Sequence, residues 1–444
     1  MPEPRRLFVH SVSGLPSIRA QGWVPALDWF PERAVVMAGA DDLVCLPHPV
    51  DEEHLGFLNS LGVGPMPGHV LVPSRGEGSA ADPSLTMRLR VDRALLARVA
   101  DGVAAGGVLH LHPYASTPEI FALGEALEAT GIPCVRILAG SPAAATHVDE
   151  KHVVRAKALE LGVPVAAGEI VELAFAGGRR RRDLEPVRAA IQRQMRHTGR
   201  VIVRGSAGTG GSSTFIVGRG GDDTDGIIRR LGARADNRVY LVEALVDLTA
   251  SPNLHLNLSD DGTVTRVAAT DQCWGSPLVH AGNSAPSGAR LLDAMEGWAR
   301  TMAGWLHSEG YAGDVGFDFV EYRDTRTGAP RAFLAEVNPR VNGANYPLAL
   351  RERINAARAA MGHPPVEGFA SGLPDTHARS FPELREALGD LLFSHEAGQG
   401  LVPYAVRALA QGRCPMAALA PSRLEALDLY AEARAALEPS WAAR

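Results

Sequence analysis

Lysine is nearly missing from this sequence, which has two lysines, Lys151 and Lys157, against forty-two arginines. The skew suggests GC-rich coding, in which arginine replaces lysine wherever positive charge alone suffices. A lysine retained against that trend points to a site that needs a compact ammonium instead of a planar guanidinium. Lys151 is therefore a candidate functional residue, and a solvated lysine at a helix start is the alternative interpretation.

Other scarce features exclude several classes of protein. The four cysteines lie far apart in the sequence, so neither disulfides nor a zinc site are implied. No apolar stretch approaches the length of a membrane span, and residues 1–10 lack the apolar core of a signal peptide. The net charge of −6 offers nucleic acid no general attraction. We expect a cytoplasmic protein with neither membrane nor nucleic acid as a partner.

The length and patterning that are present favour a globular α/β protein. The 444 residues allow about three domains, and 46% apolar with 21% charged residues is typical of folded chains. Strand-like runs that alternate with helical stretches predict a mostly parallel sheet at the N-terminus. His110 and His112 alternate on one run, and without a third ligand nearby a structural role is favoured over metal binding. The strand-like runs are residues 7–12, 34–37, 69–72, 108–111 and 135–138.

Two later runs, Gly316–Tyr322 and Ala332–Asn342, alternate apolar and polar residues at the strand period. Turn formers between them predict a hairpin, and its register sets Asp318 directly opposite Glu336. Asn338 shares their face, because strand side chains repeat with period two. Two carboxylates and an amide on one β-face suit Mg²⁺, which takes few protein oxygens. A solvated polar face on an edge hairpin is the alternative.

A Gly/Ser-rich loop, residues 205–213, separates the strand-like runs 200–204 and 214–217. It is not a Walker loop, because Gly211 stands where that motif needs lysine. It is not a Rossmann fingerprint either, because β-branched and aromatic residues follow where a helix should open. The loop is predicted to join two antiparallel strands as a flap whose N–H groups and hydroxyls cradle a triphosphate. An ordinary hairpin turn is the alternative.

In this order, the flap, the Asp318 strand and the Glu336-Val-Asn-Pro-Arg340 strand resemble the ATP-grasp carboxylate–amine ligases. Lys151 before a helix is similar to that family's nucleotide-phosphate lysine. The run 241–246 looks like the hinge whose backbone and glutamate hold the adenine. The match covers roughly residues 145 to 350, and its motifs are weak alone and specific in combination.

The resemblance implies a fold that is both α/β and α+β. Residues 1–140 would be a parallel α/β pre-ATP-grasp domain and residues 141–372 the ATP-grasp domain, with a mobile lid at about 166–245. Residues 373–444 would be a small C-terminal α/β appendix. More narrowly, the chain is similar to peptide ligases of the pheganomycin type, on residues 251–257, 270–272 and 400–437. One departure is Arg204, where the family usually has lysine. The planar guanidinium of arginine contacts phosphate in a different geometry from the compact ammonium of lysine.

The resemblance also implies residue roles, with ATP and Mg²⁺ as cofactors. Catalysis would use Arg340, Lys151 and Arg204. The metal ligands would be Asp318, Glu336 and Asn338. The nucleotide would be bound by Lys151, Arg204, Ser206, Gly208, Thr209, Gly210, Gly211, Ser212, Ser213, Glu243, Leu245 and Val246. The substrates would contact Gln272, Trp274, Asn342 and Asn345, with Asp271, His255 and Asn257 nearby, and each of these has packing as an alternative.

The implied reaction joins the carboxylate of an amino acid or peptide to the amine of an amino acid. An acyl phosphate is the intermediate, and specialised-metabolite biosynthesis is the expected setting. A ligase that extends a protein or carrier terminus is the nearest alternative, and a non-catalytic nucleotide-binding regulator is another. The partners would be amino acids or short peptides, and the family leaves a homodimer open. The sequence does not identify the acyl donor or the amine.

Overall fold

The computed structural model describes residues 4–15, 25–74, 84–103, 107–173, 183–207, 214–218, 221, 223–232, 237–276 and 279–437. These residues form three β-sheets with helices packed on them. No helix in these ranges combines the length and apolarity that a membrane crossing needs.

The first sheet has five parallel strands in the order β3-β2-β1-β4-β5. Its strands are β1 (Arg5–Val9), β2 (Leu43–Cys45), β3 (Val70–Leu71), β4 (Val108–Pro113) and β5 (Cys134–Ile137). The helices of this part are α1 (Glu52–Ser60), α2 (Leu85–Val91), α3 (Arg93–Asp101) and α4 (Pro118–Glu128), with 3-10 turns at Pro25–Asp28, Phe30–Val36 and Pro67–His69. The prediction of a parallel N-terminal sheet is confirmed.

The predicted strand at residues 34–37 is wrong, because Phe30–Val36 is a 3-10 helix. Pro31 stands in its first turn, where a missing N–H costs nothing. Val35 and Val36 are fully buried in a core that they share with Tyr346. A four-residue apolar run has no period that distinguishes a strand from a buried helical turn. The strand that follows β1 is instead the short β2.

The second sheet lies in the predicted lid and has four antiparallel strands in the order β6-β9-β7-β8. We call it the lid sheet. Its strands are β6 (Gly168–Glu172), β7 (Arg200–Gly205), β8 (Thr214–Gly218) and β9 (Val239–Ala244). The nearby helices are α5 (Pro142–Val148), α6 (Lys151–Glu160), α7 (Glu185–Thr198) and α8 (Thr224–Gly232). The Gly/Ser loop joins two antiparallel strands as predicted, because β7 pairs with β8.

The third sheet has nine strands, in the order β10-β14-β11-β12-β13-β16-β18-β17 with β15 beside β14. The strands are β10 (Leu248–Ala250), β11 (Pro252–Leu258), β12 (Val264–Ser276), β13 (Val279–Ala285), β14 (Gly313–Arg323), β15 (Pro330–Asn338), β16 (Gly368–Gly372), β17 (Gly400–Pro403) and β18 (Met416–Ala420). The helices are α9 (Leu292–Ser308), α10 (Asn345–Ala360), α11 (Phe381–Leu388) and α12 (Arg423–Leu437), with 3-10 turns at Gly389–Leu391 and Val406–Gln411. Strands β17 and β18, from the predicted appendix, thus extend this third sheet, which we call the central sheet. The domain boundaries drawn from the sequence stay predictions.

Candidate functional site

The hairpin of β14 and β15 has the predicted register, with Asp318 paired to Glu336 and Gly316 paired to Asn338. Asn338 Nδ2 donates a hydrogen bond to Asp318 Oδ2 at 3.0 Å, so their side chains share a face. The pairing shifts directly after Asp318, as at a β-bulge. Bulges often lie beside functional sites, because they re-aim a side chain. The predicted pairing of Asp318 with Glu336 and the shared face of Asn338 are confirmed, and their role as metal ligands stays a prediction.

A second amide reaches the same aspartate from the other side. Asn253 of β11 pairs with Asp318, and its Nδ2 donates to Asp318 Oδ1. Asn253 Oδ1 is buried and has no hydrogen-bond partner among the described residues. Asn253 is not among the site residues predicted from the sequence, although Asn253, His255 and Asn257 alternate along a strand-like run. That alternation was the available signal for a polar face on β11.

The two carboxylates have opposite electrostatic environments. Burial and the neighbouring charge of Glu336 raise the pKa of Asp318 to about 6, although hydrogen bonds from Asn253, Asn338 and Gln272 oppose the shift. Burial also acts against the charge of Glu336, but Lys151, Arg204 and Arg340 together lower its pKa. Two such carboxylates repel each other, and a divalent cation between them relieves that repulsion.

Lys151 is buried against this pair. It opens α6, and its Nζ lies 3.1 Å from Glu336 Oε1. Only 8% of its side chain is exposed, which argues against the solvated lysine considered above. The backbone N–H of Lys151 donates to the carbonyl of Ser206 at 3.2 Å and so ties the helix start to the end of β7.

Glu243 on β9 lies between two guanidinium groups. Arg204 donates to Glu243 Oε2 at 2.9 Å through Nε and at 2.6 Å through Nη2. Arg155 Nη1 donates to Glu243 Oε1 at 2.6 Å. Arg204 also donates to the carbonyl of Ala335 at 2.8 Å, next to Glu336. Sequence reasoning missed Arg155, whose position one helical turn after Lys151 was the signal.

Arg340 lies at the other end of the carboxylate pair, beyond Pro339. Its Nη1 is 3.3 Å from Asp149 Oδ1. Burial disfavours its charge, but the carboxylates of Asp149, Glu336 and Asp318 hold its pKa above the ordinary value. Asp149 precedes α6, so the arginine links the hairpin to the segment that carries Lys151. Asp149 is not among the site residues predicted from the sequence.

Ser206 lies in the described start of the flap, which continues to Ala207. Its Oγ contacts His152 Nδ1 at 2.6 Å and Glu150 Oε2 at 3.4 Å. Leu245 and Val246 directly follow β9 and are half-buried. The other predicted flap residues lie outside the described residues: Gly208, Thr209, Gly210, Gly211, Ser212 and Ser213.

Asn342 and Asn345 hold the turn between Arg340 and α10. Asn345 Oδ1 accepts from the N–H of Asn342 at 2.9 Å, and Asn342 Oδ1 accepts from the N–H of Ala344 at 3.0 Å. Both amides therefore have a structural task in this turn. Their contact with a substrate stays a prediction.

The remaining predicted substrate residues lie along β11 and β12. Gln272 accepts from Ser251 Oγ at 3.2 Å and also hydrogen-bonds Asp318. Trp274 is 41% exposed, and its ring stands edge-on to His280 with centroids 6.3 Å apart. Three further polar residues bind other side chains: Asp271 binds Arg423, His255 binds Thr270 and Asn257 binds Asp314. Gln272 thus borders the carboxylate pair, whereas Trp274 is exposed, and the contact of either residue with a substrate stays a prediction.

The donor set fits Mg²⁺ better than a transition metal. Within the described ranges, no group of three or more His, Cys, Asp and Glu side chains is placed to hold a metal ion. Mg²⁺ does not need such a group, because one or two carboxylates suffice when phosphate and water complete its shell. Three cationic side chains around two carboxylates are also an arrangement that suits a polyphosphate.

Comparisons with known proteins agree with this architecture. Residues 31–129 match the family model described as the Pre ATP-grasp domain. The whole chain superimposes on ATP-grasp structures at 12–16% sequence identity. The chain has the ATP-grasp fold. A search of curated protein sequences finds no match.

Three of the similar structures illustrate the coverage. N5-carboxyaminoimidazole ribonucleotide synthetase from Thermus thermophilus has 16% identity and a TM-score of 0.51, over 93% of this chain and 97% of that one. Biotin carboxylase from Campylobacter jejuni, a β,γ-ATP complex, has 13% identity and a TM-score of 0.55, over 98% and 92%. The biotin carboxylase domain dimer of Hydrogenobacter thermophilus 2-oxoglutarate carboxylase, with MgADP and bicarbonate, has 12% identity and a TM-score of 0.54, over 99% and 91%.

Proposed function

We propose that this protein is an ATP-dependent carboxylate–amine ligase. It joins the carboxylate of an amino acid or short peptide to the amine of an amino acid and releases ADP and phosphate. The observation that carries the proposal is the paired carboxylates of Asp318 and Glu336, with Lys151 at 3.1 Å and the charges of Arg204 and Arg340 acting on the same pair. Such a site neutralises phosphate and activates a carboxylate in one place.

ATP lies between the lid sheet and the central sheet. Lys151 and Arg204 meet its phosphates, because both are buried cations at the boundary of the two sheets. The sequence assigns the flap residues 206–213 to the phosphates, and the backbone after Glu243, at Leu245 and Val246, holds the adenine. Similar structures in complex with ADP and with a β,γ-ATP compound support the nucleotide assignment.

Asp318, Glu336 and Asn338 would hold the divalent cation. Mg²⁺, when bound there, supplies positive charge that offsets the charge building up on the β- and γ-phosphates. Asn338 and Asn253 fix the carboxylate of Asp318 through both of its oxygens, so the ligand is oriented before the nucleotide arrives. Residues pre-oriented in this way lose little entropy on binding.

The reaction has two displacements. In the first, a substrate carboxylate oxygen attacks the γ-phosphorus, the bond to ADP breaks, and an acyl phosphate forms. In the second, the amine nitrogen attacks the acyl carbon, the carbon–oxygen bond to phosphate breaks, and the amine loses its proton to solvent. Arg340 stabilises the negative charge that develops on the acyl oxygen.

A bicarbonate-activating carboxylase is the second candidate. The similar structures are of carboxylases and a carboxyaminoimidazole ribonucleotide synthetase, and one of them contains bicarbonate. Bicarbonate presents the same carboxylate oxygen to the γ-phosphorus, so the carboxylate pair alone does not distinguish it from an amino acid. The assay below therefore includes a bicarbonate arm.

The deciding experiment measures phosphate release from ATP and Mg²⁺ with pairwise mixtures of amino acids and short peptides, and product masses are read by mass spectrometry. A dipeptide or longer amide product that forms with stoichiometric ADP supports the proposal. Turnover with bicarbonate alone would support the carboxylase. Turnover that needs an added protein or carrier terminus supports the extending ligase, and ATP binding without ADP formation across the panel supports the regulator.

Glu336→Ala is expected to abolish ADP release when both substrates are present. The variant removes one of the two carboxylates, the one that lies 3.1 Å from Lys151 Nζ. The measurement is the initial rate of ADP formation at saturating Mg²⁺. Glu386→Ala, an exposed substitution on α11, is the control and should keep the wild-type rate. Normal turnover in Glu336→Ala would refute the metal assignment.

A further inference from the structure

A buried chain of hydrogen bonds joins the N-terminal sheet to the central sheet. Tyr346 Oη lies 2.9 Å from His10 Nδ1, and His10 Nε2 lies 3.2 Å from His112 Nδ1. His112 Nε2 lies 3.3 Å from Asp314 Oδ2. His10 and Tyr346 are fully buried, and His112 is 9% exposed. We call these four residues the His10–His112 chain.

The contacts assign one direction to the donors. Asp314 is an acceptor, because hydrogen bonds from His112 and Asn257 outweigh burial and lower its pKa to about 2. His112 therefore donates from Nε2 and accepts at Nδ1 in its neutral tautomer. His10 then donates from Nε2 and accepts from the hydroxyl of Tyr346 at Nδ1. Every polar atom of the two imidazoles is satisfied, which a buried network needs if it is to fix a single arrangement.

The two ends of the chain lie on the elements that carry the candidate site. Asp314 is on β14, four residues before Asp318 and on the same face of the strand. Tyr346 is in the first turn of α10, directly after the turn that follows Arg340. His10 and His112 lie at the carboxyl ends of β1 and β4, which are adjacent in the first sheet. The His10–His112 chain thus connects the ends of β1 and β4 to β14 and α10, the two elements beside the candidate site.

We propose that His112 is a positioning residue: through Asp314 it fixes the β14 face that presents Asp318 to the divalent cation. This inference rests on the proposed function, because it needs a metal-dependent nucleotide site. Asp314 Oδ1 is also held by Asn257 Nδ2 at 3.1 Å, so His112 supplies the other half of the support of this carboxylate. Removing His112 leaves one oxygen of the largely buried Asp314 carboxylate without its donor, which favours a shift of the strand.

The test separates Mg²⁺-dependent from Mg²⁺-independent binding of ADP. Calorimetry measures the Kd of ADP for the full chain with and without Mg²⁺. In the wild type, Mg²⁺ should tighten ADP binding. In His112→Leu the ratio of the Kd without Mg²⁺ to the Kd with Mg²⁺ should shrink by about tenfold, as for the loss of a hydrogen bond to a charged group. The Kd without Mg²⁺ should change by less than about twofold. His112→Gln, which keeps an amide donor near Asp314, should recover most of the gain.

Two further variants make the result specific. His110→Leu changes the neighbouring histidine on the same face of β4, one strand repeat away, and should leave both Kd values unchanged. Asp314→Asn keeps the side-chain shape, serves if His112→Leu fails to fold, and should show the same loss of the Mg²⁺ gain. An unchanged Mg²⁺ gain in the folded variants overturns the inference, and so does an equal weakening with and without metal. A wild type that does not bind ADP overturns the proposed function itself.

Discussion

Glu243 shows at the scale of single residues how the site is held before any ligand arrives. Its carboxylate is 3% exposed and accepts from both Arg155 and Arg204, so one negative charge offsets two buried guanidiniums. The sequence analysis assigned Glu243 to the adenine and Arg204 to phosphate. Their pairing means that Arg204 can turn toward a phosphate only by loosening its contact with Glu243. The charge of this glutamate therefore controls where the arginine lies.

Glu243→Gln is expected to destabilise the protein, because two buried guanidiniums lose their shared counter-charge. Removing one partner of a buried ion pair costs about 3 kcal/mol or more. The first thermal transition should fall by roughly 5–10 °C, which circular dichroism or calorimetry can measure. Glu169→Gln is the control in the same lid sheet, because its pair with Arg193 is exposed and should matter by less than about 2 °C. Equal shifts in the two variants would contradict the argument.

At the scale of elements, the register of the β14–β15 hairpin could be predicted from the sequence for the pairs Gly316–Asn338 to Asp318–Glu336, but the bulge that shifts the pairing from Phe319 onward could not. The alternation around Asp318 buries Phe317 and Phe319 on one face and sets Asp318 opposite Glu336 on the other. The support from β11 could not be predicted, because the Asn253–Asp318 pairing joins residues sixty-five positions apart. Nothing local to either strand encodes that neighbour.

Gly316 shows how closely the elements of the site approach one another. A Cβ on Gly316 would lie 2.4 Å from Asn342 Nδ2 and 3.2 Å from Asn253 Oδ1. The amide of Asn342 cannot move freely, because its Oδ1 accepts from the N–H of Ala344. The missing side chain lets the turn after Arg340 pack directly on β14, beside the carboxylate pair.

Gly316→Ala should therefore destabilise the protein by about 1–3 kcal/mol, as overpacking does in a filled interior. Gly304→Ala should have the opposite sign. Its Cβ would meet nothing within 4 Å, and alanine is favoured over glycine inside a helix by about 0.5–1 kcal/mol. Thermal melts of the two single variants decide the matter. A stabilised Gly316→Ala would show that the turn has room to move.

At the scale of the whole molecule, the first of the three predicted domains contacts the last one, which the sequence did not predict. Glu32 Oε2 accepts from the N–H of Arg407 at 2.9 Å, and His54 Nε2 lies 2.9 Å from the carbonyl of Pro403. These contacts connect segments more than three hundred residues apart, so no local pattern encodes them. The sequence showed the order of the elements, whereas the pairing of distant segments depends on a core that only the folded chain has.

The contact of Glu32 predicts a pH dependence of stability. Burial raises the pKa of Glu32 from 4.5 to about 7, although the N–H groups of Arg407 and Val406 oppose the shift. A carboxyl group with a raised folded-state pKa binds more protons in the folded state, so stability falls as pH rises from about 4.5 through 7. The loss by pH 8 is on the order of 3 kcal/mol. Glu32→Gln keeps an acceptor for Arg407 and has no charge to bury.

The thermal midpoint of the wild type should therefore fall more between pH 5 and pH 8 than that of Glu32→Gln, which should be the more stable of the two at pH 8. Glu53→Gln on α1 is the control, because Glu53 is exposed and should leave the pH slope of the wild type unchanged. Parallel slopes for the wild type and Glu32→Gln would mean that water reaches Glu32 in solution. The junction between Glu32 and the 3-10 turn Val406–Gln411 would then be looser than its contacts indicate. Water would take the place of the N–H donors of that turn.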